Sequence, residues 1–484
     1  MTKLSRIMAA LIVAALFIAA GQRSAGAQPG ATDWTEPYLL TPEVGESHYR
    51  PFLAADQYGG VHAIWHEGGR LAANVPGLDA VYYSFWNGMG WSEKVDILAP
   101  TGSSLSEVGG LVATPDGRLL IPHAQEGYVI ISQSPVQNAS APRAWSSRRM
   151  DAGVIPAIAV SSDGTVWCLA YWDNVFTTLF LTYSRDRGET WAQSQVIWSA
   201  GTGTAGSKVQ LLVAQDGRVH LVWSESAEIH NWAPEAIWHA TYDLESSVFS
   251  TREVMRRQSL DDPTTDTPSI AECPNGQIHM VWNNGIGSKT GRFHQYSDAA
   301  AETWSVVSPL FPGLSGLTSK PGLVCDSTGR VHLVTAAPGL GFESAIRYAT
   351  WFNGVWSDYE TLWQGRYAGE RPSLVIAGGN KLHVTWDAFF GNNNVPGTFI
   401  AHAYATIDAP AAARPIPTQE PTPTAISASA ETPGTPTSPA EAAPPYDSVP
   451  MSSISATQWP VLLGIVPALM LLGGVILVRM LRRR

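Results

Sequence analysis

A basic residue stands immediately before a proline at Arg50-Pro51, Lys320-Pro321 and Arg371-Pro372, and Thr267-Pro268 and Ile155-Pro156 fill the same slot of a recurring phrase. Cationic side chains gathered around one opening would line a funnel and hold an oxyanion. Arginine does so with a planar two-pronged contact, lysine as a point charge. Histidine is the second chemically capable type. His62, His220, His279, His332 and His383 occupy one equivalent strand position in separate repeats, so they cannot converge on one ion. They are assigned to packing and hydrogen bonding, and Trp65, Trp223, Trp282 and Trp386 to the core by the same logic. There is no nucleotide-binding loop, no His-Glu-x-x-His and no Gly-x-Ser-x-Gly. Cys168, Cys273 and Cys325 are odd in number and lack Cys-x-x-Cys spacing, which gives neither a disulfide framework nor a zinc site. No metal and no cofactor is expected. Asn138-Ala139-Ser140 fits a glycosylation sequon.

The elements that must position these residues are repeats. The clearest copy is Asp216-Gly217-Arg218-Val219-His220-Leu221-Val222-Trp223. Related phrases begin at Gly60, Asn275, Gly329 and Lys381, and two degenerate ones at Asp116 and Asp163. Each reads as a hairpin, because Asx-Gly supplies the positive φ that a tight turn needs. A second phrase, an aromatic followed by a small residue, falls between the copies: Trp91-Ser92, Trp145-Ser146, Trp191-Ala192, Phe249-Ser250, Trp304-Ser305 and Trp356-Ser357. Four strands per repeat make one propeller blade. The two phrases are out of step at the ends. The last hairpin lacks an outer partner, and Trp34-Thr35 precedes the first. The chain is therefore expected to be an all-β, seven-bladed β-propeller over residues 33–408, closed by its N-terminal strand, which removes an exposed edge.

Ser184, Asp186, Gly188, Thr190 and Trp191 fit Ser-x-Asp-x-Gly-x-Thr-Trp. This resembles the Asp box, or BNR repeat, of sialidases and other propellers, where it forms the turn between a blade's third and fourth strands. Residues 297–304 look like a decayed copy, with Ala299 and Ala301 in place of Asp and Gly. The box is a folding element on the face opposite the sialidase active site. The resemblance also implies a catalytic arrangement: an arginine cluster for a substrate carboxylate, a Tyr/Glu pair as nucleophile and base, and an Asp as acid/base. The positions that match are Arg50 in Tyr49-Arg50-Pro51-Phe52, which lacks the family's Ile between Arg and Pro, then Asp79, Tyr367, Glu370 and Arg371. Arg70, Arg292 and Arg347 are further arginines within reach on loops.

The ends of the chain read differently. Residues 1–27 fit a signal peptide: Lys3 and Arg6, an apolar run over 7–20, then Ala25-Gly26-Ala27. Residues 409–457 are rich in Pro, Thr, Ser and Ala and read as a disordered stalk. Residues 458–479 are apolar over about the 20 residues a membrane helix needs, and the basic tail 480–484 places that flank in the cytoplasm. The expected location is a membrane, single-pass, with the propeller extracellular or periplasmic. The chain has 30 Lys and Arg against 41 Asp and Glu. Seven of the basic residues lie in the terminal segments, so the globular part is more acidic still, which excludes nucleic acid. The expected function is a membrane-anchored binding module for a glycan or protein. Its face is built from the starts of the first strands and the loops after the hairpins, with Arg50, Glu67, Arg70, Glu225 and Arg371 as ligand contacts. The alternatives are a sialidase-like exo-glycosidase and a structural surface-layer component.

Overall fold

The computed structural model describes residues 32–41, 46–69, 80–98, 107–257, 265–284, 291–298, 301–311, 320–338, 343–366, 368–389 and 398–412. The chain divides into two units, Met1–Thr418 and Gln419–Arg484. The second unit, with most of the expected stalk and the membrane helix, lies outside the described residues, as does the signal segment; the first residues assigned to the stalk, 409–412, are described and packed on the last blade, with Ala409 buried and Ala412 N–H donating to the Gly378 carbonyl at 2.8 Å. Among the described residues no helix is long and apolar enough to cross a membrane.

The first unit is seven antiparallel sheets in chain order. Blade 4 is the most regular: Thr204–Val213 innermost, then Arg218–Ala227, Ala233–Asp243 and Phe249–Arg256. Each hairpin turn carries a glycine at positive φ, in four blades that of an Asx-Gly pair, such as Gly217 at 84° and Gly276 at 80°. In blade 2 the innermost strand is broken into Glu107–Val108 and Val112–Ala113 around Gly109-Gly110. Gly109 has no alternative, because a Cβ there would lie 1.6 Å from the Pro156 carbonyl oxygen.

The ring closes as expected. Tyr38 pairs with His402 and Leu39 with Ala401, so Tyr38–Leu39 is the outer strand of the blade formed by Ala368–Ala377, Lys381–Phe389 and Thr398–Thr406. Thr35 N–H donates to the Tyr404 carbonyl at 2.9 Å and Leu40 N–H to that of Ile400 at 2.7 Å.

The apolar core lies between blades. Trp172 and Leu181 of blade 3 pack with Leu221 and Trp223 of blade 4 in one buried cluster. The histidines of the second strands belong to this interior and bond within their own blades. His220 meets His239, His279 meets His294 and His383 meets His402, each Nδ1 to Nε2 at 3.0–3.1 Å. His62 and His332 instead join a tyrosine and a turn aspartate, Tyr83 with Asp56 and Tyr348 with Asp326. An Asp-His-Tyr chain repeated in two blades and buried in both is scaffolding.

Cysteine spacing gave no disulfide framework and left the pairing of Cys273 and Cys325 open; the two are bridged, with Cα atoms 5.1 Å apart. Cys325 ends the innermost strand of blade 6 and Cys273 directly follows that of blade 5, a separation of 52 residues, so two positions one repeat apart in sequence are neighbours around the ring. Cys168 is free and buried.

Candidate functional site

The innermost strands carry an irregularity at the slot that the sequence marks with X-Pro. Cross-strand register slips between Tyr49 and Phe52, Val154 and Ala157, Ser207 and Gln210, Asp266 and Ser269, and Glu370 and Ser373. Each slip is a β-bulge that leaves one residue unpaired. Proline suits the position after it, having no N–H to lose from the ladder. The residue before is left-handed in all five blades: Arg50 at φ 56°, Ile155 at 47°, Lys208 at 55°, Thr267 at 50° and Arg371 at 50°. None is glycine, and β-branched Ile and Thr tolerate this region worst. Such strain costs on the order of 1–3 kcal/mol per site and persists where the surroundings impose it.

The bulges bring their residues to one central cavity of about 470 Å³ lined by the innermost strands. Four of the seven blades contribute a cation to its lining: Arg50, Lys208, Lys320 and Arg371. Arg50 and Arg371 come from adjacent blades and share Asp387. Arg50 N–H donates to its Oδ1 at 2.8 Å, and the Arg371 guanidinium pairs with its Oδ2. The Arg50 guanidinium also faces Glu107 at 3.6 Å. Both side chains stay accessible, Arg50 at 36 % and Arg371 at 43 % exposure, so an incoming anion can reach them. Lys320 donates to Gln210 Oε1 at 2.5 Å, and burial pushes its ammonium down to about 8. Beside the ring, burial raises the Asp266 carboxyl, an effect that the Lys208 charge opposes.

Two acids expected to meet ligand are already engaged. Glu67 is buried, with Lys94 Nζ at 3.0 and 2.9 Å and His48 Nδ1 at 3.0 Å. Glu225 is buried, with Arg256 at 2.8 Å and the Trp238 indole at 2.5 Å. Arg70, Asp79 and Tyr367 lie outside the described residues. Glu370 is placed by its backbone, opposite Asp387 in the ladder. Arg292 is buried between blades 5 and 6, on Thr335 and Ala336, and does not line the cavity. The structure thus joins Arg50 and Arg371 with Lys320, whose repeat slot was visible in the sequence, and adds Lys208. Asp387 and Glu107 carried no such signal. Among the described residues no group of three or more His, Cys, Asp or Glu could hold a metal ion.

The residues that resemble an Asp box sit at the other end of blade 3. Asp186 accepts from Thr190 N–H at 2.8 Å and Thr190 Oγ1 at 2.6 Å, and Ser184 Oγ accepts from Gly188 N–H at 2.8 Å. Trp191 donates to the Gly188 carbonyl at 3.1 Å. In the decayed copy, Asp298 accepts from Glu302 and Thr303, and Ala301 takes φ 52° where glycine would be relaxed. Ala299 lies outside the described residues.

Fold and cavity together define a seven-bladed propeller with a cationic funnel. No protein-family model matches the chain, and no curated protein matches it. Among solved structures it is similar to a polysaccharide lyase, PL25 ulvan lyase, bound to a GlcA(1-4)Rha3S saccharide: TM-score 0.54, 11% identity, 75% of this chain and 95% of that one. An intramolecular trans-sialidase from Ruminococcus gnavus aligns at TM-score 0.44 and 12% identity over 77% of this chain and 97% of that one. A protein of unknown function from Dyadobacter fermentans aligns at TM-score 0.48 and 13% identity over 78% and 100%.

Proposed function

We propose that the propeller binds an acidic glycan in its central funnel and is displayed outside the cell on the C-terminal stalk and membrane helix. The observation that carries this reading is the placement of charge. In a chain of net charge −11, four cations converge on one cavity, three of them on strained bulges. Strain kept at equivalent positions around a single opening points to use. The exposed guanidinium edges of Arg50 and Arg371 suit a carboxylate or sulphate, and the lysines add point charge on the other side. The ulvan lyase of this fold is seen with a saccharide bound, which makes polysaccharide the first ligand class to try. The Cys273–Cys325 bridge supports export, because disulfides persist in oxidising compartments.

A glycan array on the full-length protein in detergent tests this. Acidic glycans should be retained and neutral ones not, with binding that weakens as salt rises. Arg50→Ala and Arg371→Ala should each weaken it by about ten- to a hundredfold, the worth of a charge-assisted hydrogen bond. Equal binding by both variants would remove the funnel from the site. Hydrolysis of a fluorogenic sialoside that Arg50→Ala abolishes would make the protein an enzyme instead.

A further inference from the structure

Blade 4 rises above the cationic ring. Its innermost strand begins at Thr204, four residues before Lys208, and its second strand runs alongside to Ala227, which pairs with Thr204. At about 3.3 Å per residue this lifts the blade's tip about 13 Å above the Lys208 slot. The connection at the tip is a short turn, Glu228–His230, followed by two consecutive left-handed residues, Asn231 at φ 57° and Trp232 at 59°. Asparagine accepts that conformation and tryptophan does not. Yet Trp232 is 51% exposed and Ile229 beside it 82%. Burial therefore does not explain the indole, and among the described residues it meets no other ring.

The loop is nonetheless held firmly. Trp232 N–H donates to the Ala227 carbonyl at 2.9 Å, Asn231 N–H to that of Glu228 at 2.8 Å, and Glu228 N–H to that of Gly203 at 2.8 Å. Beneath it, His230 meets Glu235 at 2.6 Å, and Arg256 ties Glu235 to Glu225. An exposed indole on a hydrogen-bonded, strained backbone and a charge-braced stem is a presented contact. Two apolar side chains are far short of the roughly 1,200 Å² that a stable protein partner buries. They match a ligand with one flat apolar face and a polar rim. A pyranose is such a ligand: its axial C–H groups lie on the negative face of the indole while its hydroxyls stay in water.

We propose that Trp232 is an aromatic subsite on which a sugar ring stacks beyond the cationic ring, so that the ligand is an acidic oligosaccharide of several residues, not a single sugar. The proposal rests on the funnel being a glycan site.

The test is titration of the full-length protein with disaccharide and octasaccharide of two acidic series, oligogalacturonate and heparin-derived. Wild type should bind the octasaccharide of at least one series more tightly than its disaccharide. Trp232→Ala should lose about tenfold on the octasaccharide and nothing on the disaccharide, and Trp232→Tyr should keep most of the affinity. Trp232→Gly, which relieves the backbone strain, should match Trp232→Ala in binding without a lower unfolding midpoint. If Trp232→Gly and Trp232→Ala bind the octasaccharide as wild type does while Arg50→Ala does not, the subsite is wrong and the funnel stands. If wild type binds neither series, the funnel reading falls and the subsite with it.

Discussion

Three pairs of imidazoles, His220 with His239 and His279 with His294 stacked and His383 with His402 tilted, share one hydrogen bond each inside the blades. A shared N–H···N bond needs an unprotonated nitrogen on the accepting ring, and burial keeps both rings neutral. It holds His220, His279 and His383 down to about 4, His294 to about 3, and His239 and His402 well below the usual value. Unfolded, the same rings titrate near 6.5. Below that pH the unfolded chain binds more protons than the fold, so stability falls as pH drops from about 6.5 towards 4. Urea unfolding at intervals between pH 7 and 4.5 should show a steep loss carried by several protons. A flat profile would mean that these rings are not neutral in the fold. The packing role of the histidines was legible from repetition alone. The engagement of Glu67 and Glu225 was not, because Lys94 and Arg256 reach them from the outer part of the same blade, far away in sequence.

At the scale of the element, the outer strand of the last blade is the weakest joint. Only Tyr38 and Leu39 pair fully with Thr398–Thr406, aided by the single bridge of Trp34 to Ala405. Deleting residues 33–40 leaves that edge unpaired and uncovers part of the cluster that holds Trp34 and Leu39 against Trp386. The variant should aggregate or melt well below the parent, as read by scanning calorimetry and light scattering. Parent-like melting would rule out closure by this strand. Closure was legible because two phrases ran out of step, a matter of counting. The bulges were not. Strict alternation assigns faces but gives no warning of an extra residue at Arg50 or Lys208, and Lys208 lacks even the proline that marks the others.

Across the whole molecule, stability is divided into layers between neighbouring blades, and the Cys273–Cys325 bridge staples one of them. Closing a loop of 52 residues in the unfolded chain is worth up to about 4 kcal/mol in the chain-entropy account. Cys273→Ser, or reduction of the parent, should lower the unfolding midpoint by several degrees. Identical melts with and without reductant would show that blades 5 and 6 do not depend on the bond. The pairing was hidden in the sequence because only the ring brings the ends of successive innermost strands together.

The latch strand has a consequence for the order of events during synthesis. Six blades are each complete as soon as their own stretch of chain has emerged. The seventh is not: the bond from Ile400 to Thr41 joins residues 359 apart, and that from Tyr404 to Thr35 residues 369 apart. The first strand made therefore waits, unpaired, for the last one. Contacts so distant in sequence form late, since the entropy of closing the intervening chain must be met first. Until then a propeller of this kind is a six-bladed arc with two open edges, and the interval before the latch engages is when a nascent chain is most exposed to its neighbours.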